Sequence, residues 1–277
     1  MNRKLKDEIS NYLYDRGADL IGFSSVETWR QKGIVPEAFR PDSIWPLAKS
    51  VIVIGLQMPL PIVETTPSVL HKEAYRTCNR QLDNMAFDLT RWLNRKGYAS
   101  TFFSRDCYTN INALIRKPIV AFAHNPAAEY SGLGTIGINN TMLTKQYGPR
   151  VRFVSVFCIA ELSPDQILET NLCIRCGACV ECCPVNALTI SKDELKNNKV
   201  VVANYDKLAC SNWHKQLLNR GYYPCGVCIK VCPVGDDREL YKRKNVFKHY
   251  RNEVEAIDSD TDDPIYKSWK HIRSYGI

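Results

Sequence analysis

The chain has 277 residues, of which 45% are hydrophobic and 24% are charged, and its net charge is +8. This composition is ordinary for a folded globular protein with a substantial core. No apolar run approaches the roughly 20 residues that a membrane-spanning helix needs, and the charged start MNRKLKDEIS predicts no secretory signal. We therefore expect a cytoplasmic protein without membrane contact. The basic residues are scattered, which favours a solvated surface over a nucleic-acid site.

The first 165 residues predict helices and strands around a central sheet. A helix is expected over 3–16 and another over 73–98, because apolar residues recur there at intervals of three and four. Strands are expected over 19–25, 50–58, 100–104 and 150–160. The second of these, SVIVIGLQM, is a continuous apolar run that is typical of a buried strand. These elements predict an α+β or α/β layer architecture whose topology the sequence leaves open.

The chain carries twelve cysteines, and the sequence pattern changes after Leu162. Between 173 and 235 the hydrophobic periodicity weakens, and cysteine, proline and glycine set the pattern. The stretch CIRCGACVECCP (173–184) has the spacing C-x2-C-x2-C-x3-C followed by proline, and CGVCIKVCP (225–233) partly repeats it. In bacterial ferredoxins with this run, the fourth cysteine ligates the other of two [4Fe–4S] clusters. On that rule cluster 1 is held by Cys173, Cys176, Cys179 and Cys232. Cluster 2 is held by Cys183, Cys210, Cys225 and Cys228.

Two alternatives to a pair of clusters are two zinc sites, or one cluster with several unliganded thiols. Cys182 has no place in either ligand set, and we interpret it as a small residue that fills space. The same interpretation applies to three isolated cysteines, Cys78, Cys107 and Cys158, because free cysteine is among the most buried residue types. The tail, 241–277, contains Trp269 and Tyr275, which predict that it packs back on the body.

The loop SGLGTIGINN (131–140) contains the pattern G-x-G-x-x-G. We reject a dinucleotide site, because the preceding NPAAEYS is helical in character and no acidic residue lies about twenty positions later. Two readings remain. Exposed backbone N–H groups would let such a loop hold another large ligand closely, whereas a helix stop followed by a turn explains the same glycines.

Three features occur in a fixed order: GLGTIGINN, CIRCGACVECCP, and the split C…CGVCIKVCP that ends at Cys232. Together they resemble epoxyqueuosine reductase and its relatives, the cobalamin-dependent iron–sulfur proteins that include the reductive dehalogenases. The likeness covers residues 100–235. It implies a nitroreductase-like α/β sandwich of the cobalamin-processing type over 1–165. A bacterial two-[4Fe–4S] ferredoxin-like module over 166–240 would follow.

The resemblance also implies site residues. The corrinoid would lie against Gly132, Leu133, Gly134, Gly137 and Asn139. Epoxyqueuosine reductase has an aspartate acid upstream of this loop, but the matching stretch RKPIVAFAHNPAAEYSGLG contains no aspartate. The candidates for the acid are therefore Asp106, His124 and Glu129, with Tyr108 added by analogy with the dehalogenases. A hydrogen-bonded structural histidine and a core aromatic are the alternative interpretations of His124 and Tyr108.

The leading hypothesis is that two [4Fe–4S] clusters deliver low-potential electrons from a donor such as ferredoxin or flavodoxin to a bound corrinoid, for reduction of an unidentified substrate. The alternative is an electron-transfer protein that reduces a corrinoid or flavin held by a partner protein. A flavin in place of cobalamin is a further alternative. Queuosine maturation of tRNA is implied by the family but not favoured, because the helical extension of the tRNA-reading relatives is not found.

Overall fold

The computed structural model describes residues 1–197, 201–241, 250, 253 and 262–275. The helices are α1 (Arg3–Tyr14), α2 (Val26–Lys32), α3 (Pro41–Ile44), α4 (Leu60–Val63), α5 (Val69–Arg95), α6 (Ile111–Arg116), α7 (His124–Tyr130), α8 (Ala178–Glu181), α9 (Lys192–Lys196), α10 (Lys207–Asn219), α11 (Val227–Lys230) and α12 (Pro264–Ser274), with 3-10 turns at Glu37–Phe39 and Asp236–Tyr241. Among the described residues, every helix is too short or too polar to cross a membrane.

The strands form one larger sheet and two hairpin-sized ones. They are β1 (Leu20–Ser25), β2 (Ser50–Gln57), β3 (Ser100–Phe103), β4 (Thr135–Ile136), β5 (Met142–Leu143), β6 (Val151–Cys158), β7 (Leu188–Thr189) and β8 (Asn204–Tyr205). The larger sheet has the order β1-β2-β6-β3, and each neighbouring pair is antiparallel. Strands β4 and β5 pair with each other, as do β7 and β8.

Helices cover both faces of the four-stranded sheet. Side chains of a strand alternate between faces, so Ile52 and Ile54 of β2 belong to the core that α1 and α5 cover. Val51 and Val53 of the same strand belong to a second core, which α2 and α7 cover. Burial on both faces explains the continuous apolar sequence of β2. The expected mixed α/β layer architecture is confirmed.

The long helix α5 begins at Val69, four residues before the expected 73. Its start is set by Ser68, whose Oγ accepts a hydrogen bond of 3.0 Å from the His71 backbone N–H. This is an N-cap, which satisfies an N–H that the first helical turn leaves without a partner. The start predicted from the sequence lies four residues too far along the chain, because the first turn of the helix lacks the apolar spacing of its later turns.

The cluster module, defined here as the described residues of 166–240, packs against the helix α12. Of the expected tail, 241–277, residues 241, 250, 253 and 262–275 lie within the described part. Trp269 of α12 is 3% exposed and joins a core with Ala178 and Val231 of the module, whereas Tyr275 is 68% exposed. Of the two aromatic residues expected to pack back, only Trp269 is therefore buried.

A buried arginine joins the sheet part to the module. Arg150 is 0% exposed, and its Nε and Nη2 donate to the two carboxylate oxygens of Asp237, each at 2.6 Å. Its Nη1 donates to the carbonyl oxygen of Cys232 at 3.1 Å, and its Nη2 donates to the Val234 carbonyl at 2.6 Å. Because this cation is both paired and fully hydrogen-bonded, its burial is compensated.

A second arginine converges on the same carbonyl oxygen. Arg238 donates to the Cys232 carbonyl from Nε at 3.0 Å and from Nη2 at 2.7 Å, and its Nη1 donates to Glu64 Oε1 at 3.0 Å. Glu64 directly follows α4 in the sheet part. Next to this contact, Lys230 Nζ donates to the Thr66 carbonyl at 3.2 Å. The module is thus attached to the chain segment that precedes α5.

We predict that Arg150→Met destabilises the fold strongly, because the change leaves the Asp237 carboxylate buried without its cation. Breaking a buried pair in this way costs about 3–5 kcal/mol. The control is Arg30→Met, which removes a similarly short pair with Asp42 (2.7 Å) whose arginine is 55% exposed. Urea denaturation followed by circular dichroism should show a far smaller change for the control. Equal changes would contradict the importance of the Arg150 contact.

Candidate functional site

Eight of the twelve cysteines surround two cavities in groups of four. The first thiol group is Cys173, Cys176, Cys179 and Cys232. The second thiol group is Cys183, Cys210, Cys225 and Cys228. Each group takes members from both cysteine segments, since Cys232 joins the first group and Cys183 joins the second. This is the interlocked arrangement that the spacing predicts, while the ligation of iron by these thiols stays a prediction.

Two short helices hold the central cysteines of the groups, and each begins after a glycine with left-handed backbone. Gly177 (φ 78°) precedes α8, which carries Cys179, and Gly226 (φ 69°) precedes α11, which carries Cys228. Glycine adopts this conformation without steric cost. At Gly226 space is limiting as well, because an added Cβ would lie 2.8 Å from His71 Cε1. The turns that present the thiols therefore depend on these two glycines.

Burial raises the pKa of thiols in both groups. It raises the pKa of Cys179 to about 12, and the neighbouring Cys232 and Cys176 thiols act in the same direction. Burial also raises the pKa of Cys225 to about 11. A thiol must lose its proton to bind a metal. Metal binding at these groups therefore has to displace protons, and we expect it to depend on pH.

The second cavity contains a buried donor that needs a partner. Trp213 Nε1 and His71 Nδ1 are buried without a hydrogen-bond partner in the described structure, and both side chains line the cavity beside Cys225. An unpaired buried polar group costs about 1–3 kcal/mol, and a cluster sulfur would accept the indole N–H. Among the described residues, no three cysteine, histidine or acidic side chains are arranged to bind one metal ion. Each cavity has four thiols, which is the number of ligands that a [4Fe–4S] cluster takes.

The cavities differ in size and surroundings. The first has a volume of about 20 Å³, whereas the second has about 240 Å³ and extends to Met58, Tyr75 and Arg152 of the sheet part. On the first side, Cys176 is exposed and Ile174 is 67% exposed. The first thiol group therefore lies towards solvent, and the second lies towards an interior space between the module and the sheet.

An open groove of about 700 Å³ lies beside the second cavity, and Tyr75 lines both. Asp106 is in the wall of this groove. Its carboxylate accepts hydrogen bonds from the Tyr75 hydroxyl at 3.1 Å and from Arg152 Nη2 at 2.8 Å, and Arg105 Nε lies 3.4 Å from its other oxygen. The predicted acid Asp106 is thus placed between the groove and the cavity, within a network of two arginines and a tyrosine.

Tyr108 lies close to the same network. Its hydroxyl is 2.8 Å from the Tyr223 hydroxyl, and both side chains line an adjoining pocket of about 360 Å³ together with Asp106. Burial, with the Asp106 charge adding to it, raises the pKa of Tyr108 to about 12. Burial raises the pKa of Tyr223 as well. Both hydroxyls are therefore protonated at neutral pH and able to donate.

His124 and Glu129 are held in the packing of the sheet part. His124 Nδ1 lies 2.9 Å from Ser155 Oγ, and its Nε2 lies 2.9 Å from the Ser104 carbonyl oxygen. Burial lowers the pKa of His124 to about 4, so that the ring is neutral at pH 7. Glu129 accepts the backbone N–H of Ile136 at 3.0 Å. These contacts agree with the structural interpretation of His124, and a catalytic role for it stays a prediction.

The glycine loop packs on the protein's own backbone. A Cβ at Gly132 would overlap the Gln166 carbonyl oxygen, and a Cβ at Gly134 would overlap the Leu143 carbonyl oxygen. Leu133, between them, packs partly buried against the core on the α7 side of the sheet. Close packing is thus a sufficient reason for these two glycines. Their contact with a corrinoid stays a prediction.

The end of the same loop reaches the thiol groups. Asn139 lines both cavities, is 6% exposed, and donates from Nδ2 to the Cys228 carbonyl at 3.3 Å. Its Oδ1 accepts the Thr141 hydroxyl at 2.7 Å. Gly137 lies two residues earlier and faces Leu143, whose Cδ1 would be 2.9 Å from an added Cβ. Of the predicted loop residues, Asn139 is placed between the two cysteine groups.

The remaining cysteines lie outside the two groups. Cys78 and Cys158 are buried in the core beneath α5. Cys107 Sγ donates to the Ser104 carbonyl at 2.9 Å. Cys182 is partly buried against the core of the module. These placements agree with the expected packing roles.

Sequence reasoning missed Tyr75, Arg152, Tyr223 and Trp213. Trp213 could have been found, because residues three apart on a helix share a face and α10 carries both Cys210 and Trp213. Tyr75 and Arg152 carried no such signal, since their meeting depends on how α5 packs on β6.

Residues 172–235 match the family model described as a 4Fe-4S dicluster domain. The tetrachloroethene reductive dehalogenase of Desulfitobacterium hafniense is 26% identical over 235 residues, which cover 81% of this chain and 38% of that protein. The epoxyqueuosine reductase of Listeria monocytogenes is 24% identical over 289 residues, which cover 97% of this chain and 72% of that protein.

Among solved structures, the catabolic reductive dehalogenase NpRdhA aligns with 95% of this chain and 34% of its own, with a TM-score of 0.61 and 18% identity. That likeness shows a shared fold. The homologues are reductive dehalogenases and epoxyqueuosine reductases, and a 4Fe–4S domain is present, which confirms the resemblance carried by the motifs. The chain spans 38% of the length of the dehalogenases that it matches.

We predict that Gly134→Ala lowers stability by about 1–3 kcal/mol, because the added methyl group meets the backbone of β5. The loss should appear in the melting temperature of the purified protein without any added cofactor. Gly97→Ala is the control, since no atom lies within 4 Å of its added Cβ and only its φ of 86° opposes the change. A loss that appears only in the presence of cobalamin would contradict the packing explanation.

We predict that His124 makes the protein less stable as the pH falls. Its pKa of about 4 lies below the ordinary 6.5, so the unfolded chain binds more protons and stability is lost as pH falls from 6.5 towards 4. Between pH 7 and pH 5 the free energy of unfolding should fall by about 2 kcal/mol, since a pKa shift of one unit corresponds to about 1.4 kcal/mol. Urea denaturation at both pH values should show a larger pH effect in the wild type than in His124→Gln. The same pH effect in both would contradict the assignment.

Proposed function

We propose that this chain is an iron–sulfur oxidoreductase that uses two [4Fe–4S] clusters to deliver electrons to a bound corrinoid, for reduction of a substrate that is not identified. The observation that carries this proposal is the cavity of about 240 Å³ that joins the second thiol group to the sheet part. The dicluster match and the two kinds of homologue support the redox class. The sheet part would then be the nitroreductase-like domain that the motif resemblance implies.

The cysteines would hold one cluster in each group, as the ferredoxin rule assigns them. When bound, such clusters supply one-electron transfer at low potential. Electrons would enter beside Cys176, which is exposed, from a small carrier such as ferredoxin or flavodoxin. They would leave beside the second group, where Asn139 lies between the two cavities. All twelve cysteines are free, which suits a reducing compartment such as the cytoplasm.

Residues of the sheet part would cover the acceptor. Met58, His71 and Tyr75 line the second cavity and are 3%, 2% and 8% exposed, so they keep water from that side. We assign proton delivery to the Tyr108 hydroxyl, which is protonated at neutral pH and is hydrogen-bonded to Tyr223. Asp106 would orient Tyr75 through the hydrogen bond that it accepts.

A second candidate is an electron-transfer protein that reduces a corrinoid or flavin held by a partner. The size of the space favours it, because 240 Å³ is below the roughly 300–1,000 Å³ of pockets for drug-sized ligands. A whole corrinoid would therefore also need the open groove beside Tyr75. An open groove equally suits a cofactor presented by another protein.

We predict about eight irons per chain in protein purified without oxygen, since two [4Fe–4S] clusters hold that number. Cys228→Ala should lose about half of the iron and sulfide, because it removes one ligand of the second group. Cys182→Ala is the matched control in the same module and should keep the wild-type content. Zinc in place of iron, or an equal loss in both variants, would contradict the cluster assignment.

The acceptor is tested by adding cobalamin or flavin mononucleotide to the iron-loaded protein and separating free from bound chromophore by anaerobic gel filtration. Retention of cobalamin, with spectral changes on reduction through the protein, is expected. Retention of flavin alone would overturn the corrinoid assignment. Retention of neither, with rapid reduction of a chromophore bound to a second protein, would support the electron-transfer alternative.

A further inference from the structure

The helix α10 brings a tryptophan to the second thiol group. Cys210 and Trp213 are three residues apart on this helix and line the same cavity, together with Cys225 and Cys228. The Nε1 atom of Trp213 is buried and has no hydrogen-bond partner in the described structure. An indole nitrogen only donates, so this N–H requires an acceptor. The sulfur atoms of the second thiol group line the same cavity and are able to accept it.

We infer that Trp213 donates an N–H···S hydrogen bond to the cluster held by the second thiol group, and that this bond raises the reduction potential of that cluster. The inference rests on the proposed function, since it requires a bound cluster. Hydrogen bonds to the sulfurs are among the features that set the potential of such clusters. Reduction adds one electron from an external reductant and makes the cluster more negative, so a donor stabilises the reduced form more than the oxidised form.

A second neutral side chain that can donate lies at the same cavity. Tyr205 lines it together with Trp213, Cys210 and Cys225, and a tyrosine hydroxyl is a hydrogen-bond donor. A donor to the cluster sulfurs stabilises the added negative charge of a reduced cluster.

The first thiol group has a different environment and provides an internal reference. Two guanidinium groups, those of Arg150 and Arg238, donate to the Cys232 carbonyl, and each is paired with a carboxylate. Trp213 lines the second cavity and is not among the residues that line the first. Removal of the indole N–H should therefore change one cluster and leave the other unchanged.

The test is an anaerobic redox titration, monitored by electron paramagnetic resonance, of the wild type and Trp213→Phe. The variant keeps an aromatic ring and removes the N–H, so one of the two midpoint potentials should fall while the other is unchanged. Trp92→Phe is the matched control, because Trp92 packs on Tyr12 in the sheet part. An unshifted midpoint, an upward shift, or equal shifts of both midpoints would overturn the inference.

A second measurement does not depend on how the variant folds. Wild-type protein labelled with indole-15N tryptophan should show a nitrogen coupling to a reduced cluster in pulsed electron paramagnetic resonance, and absence of the coupling would overturn the inference. A protein that assembles no iron–sulfur cluster would contradict the proposed function and this inference with it. Assembled clusters without the coupling would contradict this inference alone.

Discussion

The carbonyl oxygen of Cys232 accepts hydrogen bonds from two buried arginines, and this contact joins the two parts of the molecule. Arg150 approaches it from the start of β6 and Arg238 from the turn after the last cysteine. Burial of a guanidinium group costs several kcal/mol unless it is paired and hydrogen-bonded. Asp237 and Glu64 provide the pairing. The position of a cysteine of the first group is therefore set by the sheet, through two buried arginine–carboxylate pairs.

The same attachment sets the position of the second thiol group. Cys228 lies on α11, and the Lys230 side chain at the end of that helix donates to the Thr66 carbonyl. The Thr66 hydroxyl in turn donates to the Cys225 carbonyl. Both contacts involve the segment between α4 and α5, and α5 also carries Tyr75 to the cavity. The distance between the second group and the groove is thus fixed by hydrogen bonds from side chains to backbone carbonyls. A fixed distance suits electron transfer, because the rate falls steeply as the separation grows.

Local patterns predicted the parts of this structure that local physics determines. The apolar sequence of β2 predicts a buried strand, because both of its faces are covered. The cysteine spacing predicts the membership of the two thiol groups, because each turn places its own thiols. No local sequence pattern predicts the attachment at Cys232, since Arg150 and Asp237 are far apart in sequence. The glycine loop is ambiguous for a related reason. A pattern of glycines indicates close approach, but it does not indicate whether the neighbour is a ligand or protein backbone such as that of Leu143, which Gly134 approaches.

The contrast between the two thiol groups follows from where each lies. The negative charge of the first thiol group can be balanced by cations. The guanidinium of Arg238 lies beside Cys232 and is held there by its carboxylate partner. Arg152 lines the second cavity, and its counter-charge, Asp106, lies in the wall of the neighbouring groove. Neutral donors such as Trp213 stabilise negative charge without adding a further ion to a buried space. The environment of the second group is therefore compatible with an acceptor at short range, and that of the first is compatible with an external donor.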